Sequence, residues 1–405
     1  MRPTTHPPGA SRHDVIVVGA RPAGAATALL LARSGLRVLV VDRARHGSDT
    51  VSTHALMRGG VLQLTRWGLL DGLGRAGTPP VTRVVFHYPD DSVRVSIRPA
   101  AGVRALYAPR RTLLDAMLAD AAAEAGAEVR FQVAVTGLLT GRDGRVTGIA
   151  GRDRTGRRVT AHAPLVVGAD GIRSTVARAV GAPVVRAGGG ASAFLYGYWT
   201  GLGTEGYEWF YAPGVSAGMV PTNGGQVCVF AGTTPARMRA ARTAGPHAAH
   251  HALLAAVSPE AAGRVAAAVP PRRLRGFGGL PGYVRRSFGP GWALVGDAGC
   301  FEDPLATHGI TDALRDAELL ARAVGEIHGG TATEAAALAA YQRTRDRLGG
   351  PLFTTVDRIA SYRWDTDQLR RLLLQLSSAM SDQVEALGRL DLPDELDDHL
   401  VLPAG

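Results

Sequence analysis

Three short runs in the chain combine glycine, a carboxylate and a strand-to-helix transition, the residue types that hold a phosphorylated ligand. The first is Asp14-Val15-Ile16-Val17-Val18-Gly19-Ala20-Arg21-Pro22-Ala23-Gly24-Ala25-Ala26, and Asp42 follows at the end of a second apolar run, Leu36–Val41. A buried strand ending in a tight glycine turn aims the free N–H groups and the positive end of the next helix at a pyrophosphate. An acid closing the following strand accepts ribose hydroxyls. The middle glycine of that pattern is Arg21 here. A side chain at this point either obstructs the backbone approach that glycine allows or offers its own guanidinium to phosphate. Arg43 and Arg45, just after Asp42, read equally well as phosphate contacts and as solvated surface arginines.

The second run, Gly168-Ala169-Asp170-Gly171-Ile172-Arg173-Ser174-Thr175-Val176, repeats strand, turn and helix, although Asp-Gly by itself is a common turn. The third begins at Trp292–Val295 and passes through Gly296-Asp297-Ala298-Gly299 to Asp303-Pro304-Leu305-Ala306-Thr307-His308-Gly309-Ile310-Thr311-Asp312-Ala313. It sets a carboxylate at a strand end and turns a helix N-terminus back towards the same place, which favours negative charge there.

The elements that position these runs follow from periodicity and turn chemistry. Buried strands are expected at Asp14–Val18, Leu36–Val41, Leu165–Val167 and Trp292–Val295. Helices are expected over Ala25–Arg33, Thr112–Ala125 and from Thr311 to about Ile327, with a further helical stretch after Gly350. Val81–Tyr88 and Val93–Arg98 flank Pro89-Asp90-Asp91-Ser92 as a hairpin, and Glu128–Val135 reads as one strand. From about 186 to 285 the texture is glycine-rich, aromatic β structure with one alanine-rich helical insert near 236–268. His247, His250 and His251 in that insert have helical spacing, but no carboxylate or thiol joins them; a surface position and no metal are expected.

Composition bounds the function. With 405 residues, 46% hydrophobic and 20% charged, the chain has globular stock for two to three domains. It contains no lysine, which excludes Schiff-base chemistry, a phosphate-loop NTPase and any lysine general base. Cys228 and Cys300 cannot make a disulfide framework, so a reduced, cytoplasmic setting is expected. The net charge of +10 is dispersed in arginine pairs rather than runs, which argues against nucleic acid and for anionic small molecules or an acidic partner. No apolar run has the roughly 18 residues that a membrane span needs. The first residues carry Pro and Arg without an apolar core and read as a tail rather than a signal peptide.

The three runs, in this order and spacing, resemble the FAD-dependent monooxygenases of the p-hydroxybenzoate hydroxylase fold, and more narrowly the branch with geranylgeranyl reductases and flavin-dependent halogenases. The resemblance extends from about Asp14 to about Leu348. It implies an α/β protein: a Rossmann-type FAD-binding domain, an inserted mainly antiparallel β-sheet substrate domain and a C-terminal helical segment. The expected boundaries are a tail at 1–13, the FAD-binding domain at 14–80, 99–185 and 286–350, the substrate domain at 81–98 and 186–285, and the helical segment at 351–405. By the resemblance, Gly19, Arg21, Pro22, Ala23 and Gly24 hold the FAD pyrophosphate and Asp42 the adenosine ribose. Arg111 lies near the phosphates and ribityl chain, and Val135 meets adenine through its backbone. Asp170 touches FAD or a nicotinamide nucleotide; Gly296 and Asp297 bind the ribityl or pyrophosphate end. His308, Gly309 and Ile310 lie along the isoalloxazine edge, His308 standing where relatives often have glutamine.

The family's oxygenases transfer oxygen from a flavin C4a-hydroperoxide, with NADPH or NADH in transit or a separate flavin reductase supplying electrons. No second dinucleotide fingerprint is present. Its halogenases use a lysine beside the substrate and a Trp-x-Trp motif, both absent here. The reductases carry Tyr-x-Trp-x-Phe-Pro; Tyr207-Glu208-Trp209-Phe210-Tyr211-Ala212-Pro213 keeps the first aromatics and displaces the proline. As a strand this puts Tyr207, Trp209 and Tyr211 on one face and Glu208 and Phe210 on the other. With Phe194, Tyr196, Tyr198 and Trp199 they are expected to form an aromatic pocket over the flavin, or else packing between layers. His54 follows the second strand where the branch brings a loop to the flavin; His54 and His308 are the candidate catalytic side chains. The expected function is oxygenation of a small aromatic or natural-product-type substrate, free or carrier-tethered. The alternatives are saturation of an isoprenoid double bond and a non-catalytic FAD protein.

Overall fold

The computed structural model describes residues 13–390. The central layer is a six-stranded sheet in the order Phe288–Gly289, Trp292–Leu294, Leu165–Gly168, Val15–Val18, Val38–Asp42 and Glu128–Phe131. All neighbours run parallel except the first pair. A parallel sheet is covered on both faces, so its strands read as uninterrupted apolar runs; Val15, Ile16, Val17 and Val18 are all buried. The helices Pro22–Arg33, Arg111–Glu124 and Gly309–His328 pack on one face, with Leu29, Leu114, Leu314 and Leu320 in a shared core.

A seven-stranded sheet stands beside it, in the order Arg275–Phe277, Ala193–Thr200, Gln226–Thr233, Val215–Pro221, Tyr207–Ala212, Arg83–His87 and Ser92–Ser96. The expected 81–98 hairpin therefore joins the sheet of the later segment, through a parallel pairing of Arg83–His87 with Tyr207–Ala212. The alanine-rich insert is three helices, Pro235–Ala241, Pro246–Val257 and Pro259–Ala266, lying on this sheet. Two three-stranded sheets complete the β structure: Val133–Thr140, Val146–Asp153 and Arg158–His162, and Val184–Ala187, Tyr283–Arg285 and Cys300–Phe301. The C-terminal helices Glu334–Ala360 and Thr366–Arg389 brace both large sheets.

Several sequence expectations shift. The first helix begins at Pro22, because proline suits the first helical position, and the third run's helix begins at Gly309. The single strand expected over 128–135 is two strands, broken at Gln132, whose φ is 61°. Residues 1–12 and 391–405, most of the tail and the end of the helical segment, lie outside the described residues. His13, placed in the tail, is buried and pairs with Glu128 at 3.0 Å. His250 is also buried, stacked on Trp199 at 4.9 Å with its Nε2 3.3 Å from the Val229 carbonyl, whereas His247 and His251 are exposed. Among the described residues no helix is long and apolar enough to cross a membrane.

Candidate active site

A cleft of about 690 Å³ runs along the C-terminal ends of the central strands. It is lined at one end by Asp42, Arg43 and Val135, in the middle by Gly19, Arg21, Pro22 and Ala23, and further on by Arg111, Asp170, Asp297, Gly309 and Ile310. Gly19 adopts φ 110°, and a Cβ there would meet the Ala169 carbonyl oxygen at 2.4 Å. A Cβ on Gly24 would meet the Gly19 carbonyl oxygen at 1.8 Å. Both glycines thus permit the strand, turn and helix to close on one another. Gly24 and Gly296 do so from behind the lining rather than within it.

Arg21 stands where the pattern has its middle glycine. Its backbone is extended at φ −90°, a conformation any residue adopts, and its guanidinium reaches sideways to Asp115 at 3.0 Å. Asp115 also accepts two bonds from Arg111, at 2.7 and 3.0 Å. Two guanidinium groups are therefore held by one carboxylate on the cleft wall, beside a helix N-terminus, an arrangement suited to a pyrophosphate.

The three carboxylates of the motifs stand differently. Asp42 accepts from the backbone N–H groups of Ala20 and Ala44, both at 2.7 Å, which leaves acceptor capacity on each oxygen. Asp170 is engaged locally, accepting from Ser174 Oγ at 2.5 Å and Thr175 N at 2.6 Å at the start of the next helix. Burial pushes the Asp297 carboxyl up to about 7; Arg111 pulls it back, while Asp312 and Asp316 push it further.

His308 departs from its expected place. It is buried off the lining, at the start of the Gly309–His328 helix, with Nδ1 3.1 Å from the carboxylate of Asp312, which belongs to the Asp312–Arg315–Asp316 cluster. Of the expected aromatic pocket, only Phe194 and Tyr196 line the cleft. Tyr207, Trp209 and Tyr211 do share a face, as alternation requires, but Val356, Ile359 and Trp364 of the C-terminal segment cover that face. Tyr198 lies behind His54, their ring centres 5.4 Å apart and nearly parallel.

The cleft's far wall joins the loop that carries His54, where the resemblance puts it, to residues that no motif marks. Thr50–Ala55 line it, and this loop is tied to the seven-stranded sheet: Asp49 pairs with Arg110 at 3.2 Å and Arg275 at 3.0 Å, and the Ser52 N–H donates to the Tyr196 hydroxyl at 3.0 Å. Phe194, Phe277, Phe301 and Glu302 complete that end. Both carboxyl oxygens of Glu302 are buried without a hydrogen-bond partner among the described residues, and burial beside Asp312 holds the group well above the usual carboxylate range. Phe301 and Glu302 sit between two halves of the third run, so continuity of that run was the available signal. Among the described residues no group of three or more His, Cys, Asp and Glu side chains is placed to hold a metal ion. Burial pushes both thiols up, Cys228 to about 12, as expected of packed rather than redox cysteines.

Residues 12–353 match the FAD binding domain family. The chain belongs to that family. This FAD binding domain protein is 27% identical over 390 residues to the digeranylgeranylglycerophospholipid reductase of Methanothrix thermoacetophila, covering 94% of this chain and 95% of that one. A second reductase of that name, from Methanocella arvoryzae, is 32% identical, but the match takes in only 42% of each chain. The 6-methylpretetramide 4-monooxygenase of Streptomyces rimosus is 29% identical over 77% of this chain and 75% of that one. The structure of the flavin-dependent brominase Bmp2 shares the fold, with a TM-score of 0.78 over 95% of both chains at 17% identity. One FAD fold thus serves oxygenases, reductases and halogenases, and the fold alone does not choose among them. The cleft fits FAD: it joins two helix N-termini, the paired Arg21 and Arg111 and the half-buried Asp297 along one groove.

Proposed function

We propose that the chain is an FAD-dependent monooxygenase acting on a compact aromatic or natural-product-type substrate. One observation carries the reading. Tyr207, Trp209 and Tyr211, each at most 7% exposed, are packed into core where a long isoprenoid chain would need an apolar passage. The cleft volume is ordinary for a small-molecule site, roughly 300–1,000 Å³, so sharing it with a dinucleotide leaves room only for a compact partner.

Arg21 and Arg111 would hold the pyrophosphate, Asp42 the adenosine ribose, Val135 the adenine edge and Asp297 the ribityl hydroxyls. Asp170, fixed by its own helix start, would shape the turn beside them. The N–H groups at Gly309 and Ile310 would face the pyrimidine edge of the ring and stabilise negative charge there. FAD, once bound and reduced, would supply the activation of dioxygen that no side chain here can perform. Phe194, Tyr196, Phe277 and Phe301 would exclude water and present a flat apolar wall to the substrate. Their aromatic faces suit a ring better than a flexible chain.

Electrons would come from NADPH or NADH bound in transit or from a separate flavin reductase, in a cytoplasmic biosynthetic setting. The +10 charge suits anionic nucleotides and an acidic carrier protein bearing the substrate. The test is incorporation of isotopically heavy dioxygen into products from a panel of small aromatic and polyketide-type compounds, beside an isoprenoid panel. Label in a ring product supports the reading. Saturated isoprenoid product without label would replace it with the activity that the Methanothrix relative's name describes.

A further inference from the structure

His54 is 1% exposed and lines the cleft, on a backbone at the left-handed φ of 66°. A non-glycine residue keeps that conformation where surrounding contacts over-determine it, commonly at functional sites. Its Nε2 meets the Tyr198 hydroxyl, and among the described residues that hydroxyl has no other hydrogen-bond partner. The Arg110 guanidinium lies 3.5 Å from the Tyr198 ring centre, held there by Gln226 and Asp49, and its charge partly opposes the burial that pushes the phenol up and keeps it protonated. Burial, together with the charges of Arg111, Arg110 and Arg275, keeps the imidazole neutral.

A neutral imidazole carries one hydrogen. Were it on Nε2, the buried phenol hydrogen would have no acceptor, a costly state. Tyr198 therefore donates to Nε2, and the imidazole hydrogen sits on Nδ1. That nitrogen is buried and finds no partner among the described residues.

We propose that Tyr198 is a positioning residue that locks His54 as the Nδ1–H tautomer, so that His54 offers a hydrogen-bond donor to an acceptor oxygen or nitrogen of the molecule bound in the cleft. The ligand assignment rests on the cleft being the FAD and substrate site. The acceptor belongs either to the flavin ring or to a substrate oxygen, and the same chemistry serves both.

The experiment is NMR of protein labelled with nitrogen-15 histidine, with the His54 signals assigned by their loss in His54→Asn. Wild type is expected to show His54 neutral and protonated at Nδ1, unchanged down to about pH 6, near the ordinary histidine range. In Tyr198→Phe the pattern is expected to move towards a mixture of tautomers, with the other histidine signals unmoved as the check on folding. An imidazolium or an Nε2–H pattern in wild type, or no change in Tyr198→Phe, overturns the lock. A shift of the Nδ1–H signal on loading FAD places the acceptor on the flavin. A shift only when 4-nitrophenol is added to the loaded protein places it on the substrate. No shift in either case overturns the donor role. Should the protein hold no FAD, the reading of the cleft fails, while the tautomer of the FAD-free protein still decides the lock.

Discussion

Asp297 joins a sequence motif, a half-buried position on the cleft wall and a perturbed carboxyl, and its replacement is the sharpest residue-level test of cofactor binding. Losing one charge-assisted contact costs about 1.5–3 kcal/mol, so Asp297→Ala is expected to weaken FAD retention by at least about tenfold, read as flavin absorbance per protein after desalting. Full occupancy in that variant would remove Asp297 from the site. Asp115 closes the Arg111–Asp115 run without a role of its own in the resemblance, yet it holds both Arg21 and Arg111. Asp115→Ala should release two guanidinium groups at once and weaken FAD binding by at least about tenfold, the order of one lost charge-assisted contact at about 1.5–3 kcal/mol. His308, turned inward to Asp312, is expected to tolerate glutamine with less than about a threefold change in FAD affinity, within the scatter of a substitution that touches no ligand. A larger loss measured by fluorescence titration would place it against the cofactor.

At the scale of elements, the strand–turn–helix units were legible because each is specified locally. Val15–Val18 is apolar on both faces, Gly19 and Gly24 admit the close approach, and Asp42 ends the next strand. Gly24→Ala tests this directly. Its methyl group would meet the Gly19 carbonyl oxygen at 1.8 Å, and the helix must move away from the turn. A loss of about 3 kcal/mol or more is expected, in the range of severe core strain, with FAD lost alongside; an unchanged melting temperature would contradict the packing. What covers an element was not legible. Alternation gave the shared face of Tyr207, Trp209 and Tyr211, but their cover comes from Val356 and Trp364, far away along the chain. The facing of His250 likewise depends on Trp199 beneath it, which helical spacing alone does not reveal. The resemblance put the His54 loop beside the cleft, but what fixes that loop was not legible for the same reason: its anchors, Tyr196, Arg110 and Arg275, are all distant in sequence.

At the scale of the whole molecule, the protein closes a binding groove at the cost of buried acids. Asp297 is pushed up to about 7 and Asp303 to about 6, both by burial above the usual carboxylate range. A raised folded-state value contributes stability that is complete below the unfolded value of 3.8 and is lost as pH rises through 6 to 7. The FAD-free protein is therefore expected to melt at progressively lower temperature from about pH 4 to about pH 7, the span between the unfolded value and the higher folded one. The accompanying change is a few kcal/mol, since each tenfold change in a proton-binding equilibrium is worth roughly 1.4 kcal/mol. Asp297→Asn should flatten that slope; the same slope in both proteins would show that the dependence arises elsewhere.

The central claim, oxygen transfer within this cleft, is tested most directly by stopped-flow spectroscopy of the FAD-loaded, anaerobically reduced protein mixed with oxygenated buffer, with and without small aromatic candidates. Oxygen transfer predicts a transient absorbance band, distinct from oxidised and reduced flavin, that forms before reoxidation and decays faster when a true substrate is present. Direct return to oxidised flavin under every condition, with isoprenoid double bonds reduced in its place, would contradict it.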